Sequence, residues 1–264
     1  MFGYSRQAYY KKNKRREEKQ KEEKMVFLLV SKLRKRMPRI GGKKMYHLLK
    51  SEFNGSGIKL GRDRFFDILR ENKLLIKRKK RYQMTTNSKH IFKKYPSLIK
   101  DLQIYRKDQL WVSDITYIRT DEGFAYAAMI TDVFSRKIVG SSIDKTMTTK
   151  LVVDALDQAL RQRKDYTGLT HHSDRGIQYC SSDYINILES NNIRISMTEN
   201  SDPYENALAE RMNRTIKEEF IINENIRTLS MLKSLFFESV NIYNKERPHL
   251  SLKMKRPDEI YSQI

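Results

Sequence analysis

Apolar and polar positions in the rear half of the chain follow two periods in succession. Residues 110–118 are β-rich, with Trp111, Val112, Ile115, Thr116, Tyr117 and Ile118, and they predict a strand. Thr120-Asp121-Glu122-Gly123 reads as a hairpin turn. Further strands follow over 124–131 and 137–143, joined by a short connection through Ser135. The period then changes. Val152, Ala155, Leu156, Ala159 and Leu160 recur at i, i+3, i+4, i+7 and i+8, which predicts an amphipathic helix over 149–163. A short strand over 169–172, a helix over 182–189, a strand over 193–197 and a helix over 203–222 complete the pattern. Three meandering strands, then helix, strand, helix, strand and helix, describe an α/β fold: a mixed five-stranded sheet with helices on its faces. A helix over 228–244, a Pro-broken stretch over 247–252 and a last turn over 257–261 follow.

The front half reads differently. Lys, Arg and Glu interleave over 5–24 as a solvated helix that runs into apolar residues 25–33 and ends near Met37-Pro38. A helix over 43–53 presents Met45, Leu48 and Leu49 on one face. Asn54-Gly55-Ser56-Gly57 makes a turn, and a second helix over 62–72 sets Phe65, Phe66, Ile68 and Leu69 among Arg62, Arg64 and Arg70. Two short helices joined by a glycine turn, the second rich in Arg, fit a small all-α helix-turn-helix-like domain that binds DNA. The expected organisation is a basic N-terminal helix (1–38), the helix-turn-helix-like domain (39–76), a basic linker (77–108), a catalytic core (109–224) and a C-terminal helical extension (225–264).

Charge sharpens that division. The formal net charge is +21, which points to a polyanionic partner. Residues 1–100 hold 31 Lys/Arg against 8 Asp/Glu, while residues 101–264 stand at −2. A basic front that binds and a near-neutral rear that does chemistry follow from that split. Lys77, Arg78, Lys79 and Lys80 open the linker as a run suited to phosphate contacts. Cys180 is the only cysteine, which excludes an intramolecular disulfide and a multi-cysteine zinc site. The longest apolar run, 25–30, is too short to span a bilayer, and the N-terminus lacks a signal peptide's apolar core. A cytoplasmic, nucleoid-associated protein is expected.

The helix over 203–222 organises the candidate chemistry. Asp202, Pro203 and Glu205 mark its start as a capping box with Pro at the first helical position. Leu208, Met212 and Ile216 form its apolar stripe. Asn206, Asn213, Arg214 and Lys217 gather around Glu210 on the other side. Two further acids stand out: Asp114 in the first strand, and Asp174 just past a later one in His171-His172-Ser173-Asp174-Arg175-Gly176. In a mixed sheet, ends of neighbouring central strands lie close, and a covering helix drops a side chain over them. Three such acids suit hard divalent cations, and without a cation they would raise one another's pKa. The His171-His172-x-Asp174 string has no partner at helical spacing and is not read as zinc. One of these histidines is expected in strand packing and the other near the metal edge. His249 reads as a turn residue.

Asp114, Asp174 and Glu210 resemble the DDE triad of transposases and retroviral integrases, with 35 residues between the last two acids and Lys217 seven residues beyond Glu210. Trp111-Val112-Ser113-Asp114-Ile115-Thr116-Tyr117 and Asp132-Val133-Phe134-Ser135-Arg136-Lys137-Ile138-Val139-Gly140 continue the likeness. So do Tyr204-Glu205-Asn206-Ala207 and Tyr243-Asn244-x-x-Arg247-Pro248-His249-x-Ser251-Leu252. Together they closely resemble the OrfB transposases of the IS-three family of bacterial insertion sequences, over roughly residues 40–262. The loop from Thr198 to Pro203 departs from the family in lacking its usual Gly.

The resemblance implies an RNase H-like core and two Mg2+ ions, with Mn2+ as a substitute. It implies cleavage at element ends by water, then attack of the freed 3′-OH on another phosphodiester. Asp114 is expected to bridge both ions, with Asp174 and Glu210 each favouring one. Lys217 is expected on the DNA end, and Asn206 and Arg214 on DNA or behind Glu210. The implied partners are DNA, as terminal inverted repeats and target, further copies of the chain on that DNA, and an OrfA partner or fusion.

Overall fold

The computed structural model describes residues 5–76, 92–161, 166–199, 206–222 and 224–263. The chain divides into two compact units, Met1–Lys80 and Arg81–Ile264. In the first, α1 (Arg6–Arg36), α2 (Gly42–Gly55) and α3 (Arg62–Glu71) pack on one another. The Ser5 side chain caps α1 by accepting from Ala8 N at 3.3 Å. Only the last third of α1 turns side chains inward, at Val26, Leu29 and Val30; before it the helix is mostly exposed, as its unbroken charge pattern dictates. Phe65 of α3 anchors the small core, with ring centroids 5.5 Å from Tyr46 and 5.8 Å from Phe53.

The second unit is built on one sheet of order β3-β2-β1-β4-β5. β1 (Leu110–Thr120), β2 (Gly123–Asp132) and β3 (Ile138–Asp144) form the antiparallel meander that the period-two runs predicted. β4 (Thr170–Ser173) and β5 (Arg194–Met197) join parallel on the other side of β1. Strand alternation sends Trp111 to one face and Val112 to the other. On the Trp111 face, α4 (Thr149–Leu160) and α5 (Ser182–Ser190) close a core with Ile130, Val139 and Leu169. On the Val112 face, Ala209 of α6 (Ala207–Ile216) packs with Leu110 and Val112. α6 begins later than the predicted 203, and the expected capping residues Asp202, Pro203 and Glu205 lie outside the described residues. It continues as a π-helical turn, Lys217–Ile221. α7 (Leu229–Lys245) then packs on β3 and α6, and α8 (Pro257–Ser262) on α7.

Both outer strands are closed off. The Asn244 side-chain amide accepts from Ile138 N and donates to Ile138 O, both at 2.9 Å, so α7 stands in for a sixth strand beside β3. At β5, Met197 N donates to Pro96 O at 3.3 Å, and Leu98 N donates to Ser196 Oγ at 2.9 Å. These contacts belong to the later part of the segment expected as a basic linker, 77–108. Its opening run, Lys77 to Lys80, lies outside the described residues. Its second half packs on the core, with Ile99, Leu102 and Ile104 against Leu110 and Val112. The apolar Ile-x-x-Leu-x-Ile spacing carried that signal, and the surrounding charge masked it.

Gly140 fixes how close α4 comes to the sheet: a Cβ there would stand 2.1 Å from the Ala155 carbonyl oxygen. Backbone cannot yield that far, so Gly140→Ala should overpack the core and cost about 1–3 kcal/mol or more of stability. Urea unfolding followed by fluorescence of Trp111, the only tryptophan, measures it; a wild-type midpoint would mean that α4 moves away freely.

Candidate active site

β1 holds Asp114 in mid-strand, its carboxylate fixed from two sides. Oδ1 accepts from Ile115 N at 2.9 Å, and Oδ2 accepts from Asn213 Nδ2 at 2.8 Å. Asp174 follows directly on β4, where Oδ1 accepts from Gly176 N at 3.0 Å. Gly176 leaves room for that bond, since a Cβ there would stand 3.0 Å from the same oxygen. Glu210 occupies the first turn of α6, where helix polarity favours an acid.

A buried polar set stiffens the strands behind these acids. Ser113 Oγ and the Tyr184 hydroxyl meet at His171 Nε2, at 2.8 and 2.9 Å. Burial, with a smaller contribution from His172, holds the His171 imidazole down at about 3, so it is neutral. His172 Nδ1 lies 2.8 Å from Ser196 Oγ. Both histidines are thus buried strand residues. Alternation along β4 sends the two rings to opposite faces of the sheet, each enclosed within a layer.

The three acids share one electrostatic field. Burial pushes the Asp114 carboxyl up to about 8, Asp174 and Glu210 add to the rise, and the bonds from Asn213 and Ile115 offset part of it. The buried Tyr179 phenol feels the same charges. It is held well above its ordinary value by burial, Tyr184, Asp174 and Asp114. Among the described residues, no three His, Cys, Asp or Glu side chains form a ready-made metal cluster. The donor set itself, three carboxylates of which Asp114 is the raised one, fits a hard divalent ion.

α6 lies along the edge of β1. β4 pairs with β1 only from Leu110 to Val112. Beyond it, Asn206 Nδ2 donates to Ser113 O at 3.0 Å, and Lys217 Nζ donates to Tyr117 O at 2.6 Å. Lys217 also sits 4.0 Å from the centroid of the Tyr117 ring. Asn206 is therefore a buried clamp on β1. Lys217 is on the active-site helix but is held by β1, and Arg214 is exposed on α6. In the other unit, Arg62 is exposed beside Asp63, and Arg64 pairs with Glu23 at 3.1 Å and Glu71 at 3.7 Å. Asn213 was the functional side chain that sequence reasoning left without a role. Its position three residues after Glu210, one turn along the same face, was the available signal.

Known proteins share this architecture. An integrase core domain model matches residues 105–203, and a second of the same description matches residues 191–257. The 31 kDa protein of insertion element IS600 from Shigella sonnei is 36% identical over 206 residues, 77% of this chain and 76% of that protein. Transposase InsF of insertion sequence IS3A from Escherichia coli is 38% identical over 153 residues, 58% of this chain but only 53% of InsF. Among solved structures, the simian T-cell lymphotropic virus intasome with PP2A regulatory subunit B56 gamma aligns with a TM-score of 0.51. It is 16% identical and covers 89% of this chain and 75% of that one, a likeness of fold. The HTLV-2 integrase catalytic core in complex with magnesium aligns at TM-score 0.48 and 19% identity, covering 59% and 97%.

The raised Asp114 carboxyl has a consequence for stability. Unfolded, the group ionises near its ordinary value of 3.8, whereas folded it keeps its proton to about 8. Between those values the unfolded state binds fewer protons, so folding loses stability as pH rises, and the loss levels off above 8. Asp114→Asn removes that loss and keeps an acceptor for Asn213. In EDTA its melting temperature should exceed wild type by a margin that grows from pH 4 to 8. A margin independent of pH would remove the electrostatic account.

Proposed function

The chain belongs to the IS3 family of bacterial insertion-sequence transposases with an integrase-type core, and on that premise we propose how its own residues serve DNA cleavage and joining. Asp114, Asp174 and Glu210 hold the divalent ions, Mg2+ with Mn2+ as substitute. Bound there, the ions supply Lewis-acid activation of the attacking oxygen and charge neutralisation at the leaving oxygen. What supports this reading is the buried Asp114 carboxylate, bonded to Asn213 one turn beyond Glu210 and raised by both other acids.

Each neighbouring residue has a task. Asn213 and the Ile115 amide aim the Asp114 carboxylate, and the Gly176 amide aims Asp174. Holding carboxylates in place before substrate arrives leaves less to reorganise at the reaction. Lys217, within two helical turns of Glu210, turns its ammonium toward a phosphate of the DNA end, and Arg214 adds an exposed cation beside it. The same site serves both steps: water attacks at the element end, and the 3′-hydroxyl released there attacks a target phosphodiester.

The basic first unit, with Arg62 and Arg64 on α3 and Lys77, Arg78, Lys79 and Lys80 after it, supplies sequence-independent attraction to the duplex. Cleaving two ends and joining them in concert calls for several copies of the chain on DNA. An OrfA protein, separate or fused, would supply recognition of the terminal repeats. No described helix is long and apolar enough to cross a membrane.

Asp114→Asn, Asp174→Asn and Glu210→Gln should each cut cleavage of a labelled element end in Mg2+ to below about a thousandth of wild type. DNA binding should be retained. Near-wild-type cleavage by any of them removes that residue from the site, and cleavage by wild type with no joined product makes the chain a nuclease. Lys217→Ala should lower end-specific joining about 10- to 100-fold, as expected when a charge-assisted bond is removed, with a smaller effect on random duplex. Equal losses on both substrates would leave Lys217 a structural pin on β1.

A further inference from the structure

The turn from β2 to β3 carries an arginine, Arg136, whose guanidinium has no ion-pair partner among the described residues. Arg136 sits at φ +64, a left-handed conformation that costs a non-glycine residue energy. The turn is held rigidly around it. Asp132 accepts from Ser135 N at 2.7 Å and from Asp108 N at 2.8 Å, and Arg136 N donates to Asp132 O at 2.9 Å. Both Asp132 carboxylate oxygens are thereby engaged, Oδ1 within the turn and Oδ2 by Asp108 ahead of β1. The Tyr243 hydroxyl donates to Arg136 O at 3.0 Å and also lies 3.5 Å from Met212 Sδ, which sets the turn against α6 next to Arg211.

Among the described residues no acidic side chain pairs with either Arg136 or Arg211. Arg136 Nε is buried without a hydrogen-bond partner. Burial lowers the Arg136 pKa, Arg211 lowers it further, and Tyr243 and Asp132 offset part of this. Two guanidinium groups that repel one another, one with a buried unbonded donor and an enforced backbone, make an arrangement that an anion would complete. Arg211 directly follows Glu210. Asp132 pairs with Trp111, three residues along β1 from Asp114, about 10 Å.

We propose that Arg136 and Arg211 receive a backbone phosphate of a DNA strand that crosses α6, outside the acidic triad. The proposal rests on the transposase reading above and adds a second anchor to it. A strand held both here and at Glu210 could not pivot about the cleaved phosphodiester between the two reaction steps.

The test is the salt dependence of binding of the full chain to a fluorescent DNA duplex. The slope of log K against log salt falls by about 0.9 for each phosphate that the protein no longer neutralises. Arg136→Gln/Arg211→Gln should lower the slope by about that amount, and Arg136→Lys should keep it at wild type. Lys233→Gln, which removes a cation paired with Asp144 at 3.7 Å, should also keep it. A wild-type slope in the double variant overturns the proposal, as does an equal fall in Lys233→Gln, which would reduce the effect to net charge. Trp111 fluorescence reports folding; if the double variant does not fold, Arg211→Gln on the exposed side of α6 decides by the same criterion. Wild type that cuts DNA while these variants keep its slope sinks the phosphate site alone. Wild type that shows no salt-dependent binding sinks the transposase reading as well.

Discussion

A short strand decides where the catalytic helix lies. β4 covers only three residues of β1, so from Ser113 onward one edge of the central strand has no strand partner among the described residues. Backbone carbonyls in such a place require donors. α6 supplies them near both its ends, from Asn206 to Ser113 O and from Lys217 to Tyr117 O. Those carbonyls are four residues apart and point the same way, as alternation along a strand requires. The helix is thereby laid along β1 in a fixed register. Between its two pins, Asn213 reaches Asp114 and Glu210 comes into the same field. The edge that the sheet leaves open is thus what brings the third acid to the other two.

The arrangement is costly without its cations. Asp114 is pushed up to about 8 by burial and by the acids beside it, a destabilising environment of the kind that gathers at functional sites. The rest of the unit compensates by being heavily stitched. Arg247 grips Glu219 with two bonds of 2.7 Å, fastening the π-helical turn after α6 to the end of α7. Asn244 and Tyr243 from the same stretch hold β3 and the turn before it. A π-turn is itself an irregularity that proteins keep mostly at working sites. Here it lets α6 satisfy β1 through Lys217 while Glu219, two residues on, meets α7.

Much of this was legible from residues alone. The five strands and their order of helices followed from the change of period at residue 149, because a half-buried strand and an amphipathic helix leave different spacings. Asp114, Asp174 and Glu210 stood out through their placement beside strand ends and on a helix. Other features were illegible for physical reasons. Leu98 and Ser196 meet across 98 residues of chain, a separation that no local period records. Asn206 and Lys217 were placed on the face of Glu210, but their bonds to β1 were not foreseen, since a helical wheel shows a face and not what that face lies against. One of His171 and His172 was expected in strand packing, and the sequence does not show that both rings are buried on opposite faces of a four-residue strand. Asn213 fell on the right face without a role, because its partner Asp114 lies 99 residues away.

Lys217 joins structure to chemistry most tightly. Its ammonium is bound to a strand carbonyl and covers the Tyr117 ring, yet its position on α6 makes it the natural cation for a phosphate near Glu210. The carbonyl bond and the Tyr117 ring hold the side chain extended along the helix. A phosphate arriving over α6 would therefore find the lysine already extended along the helix, so little side-chain freedom remains to be given up on contact. Under the function proposed above, the pin on β1 and the DNA contact would be one preorganised device: the bond that fixes the helix would also aim the charge.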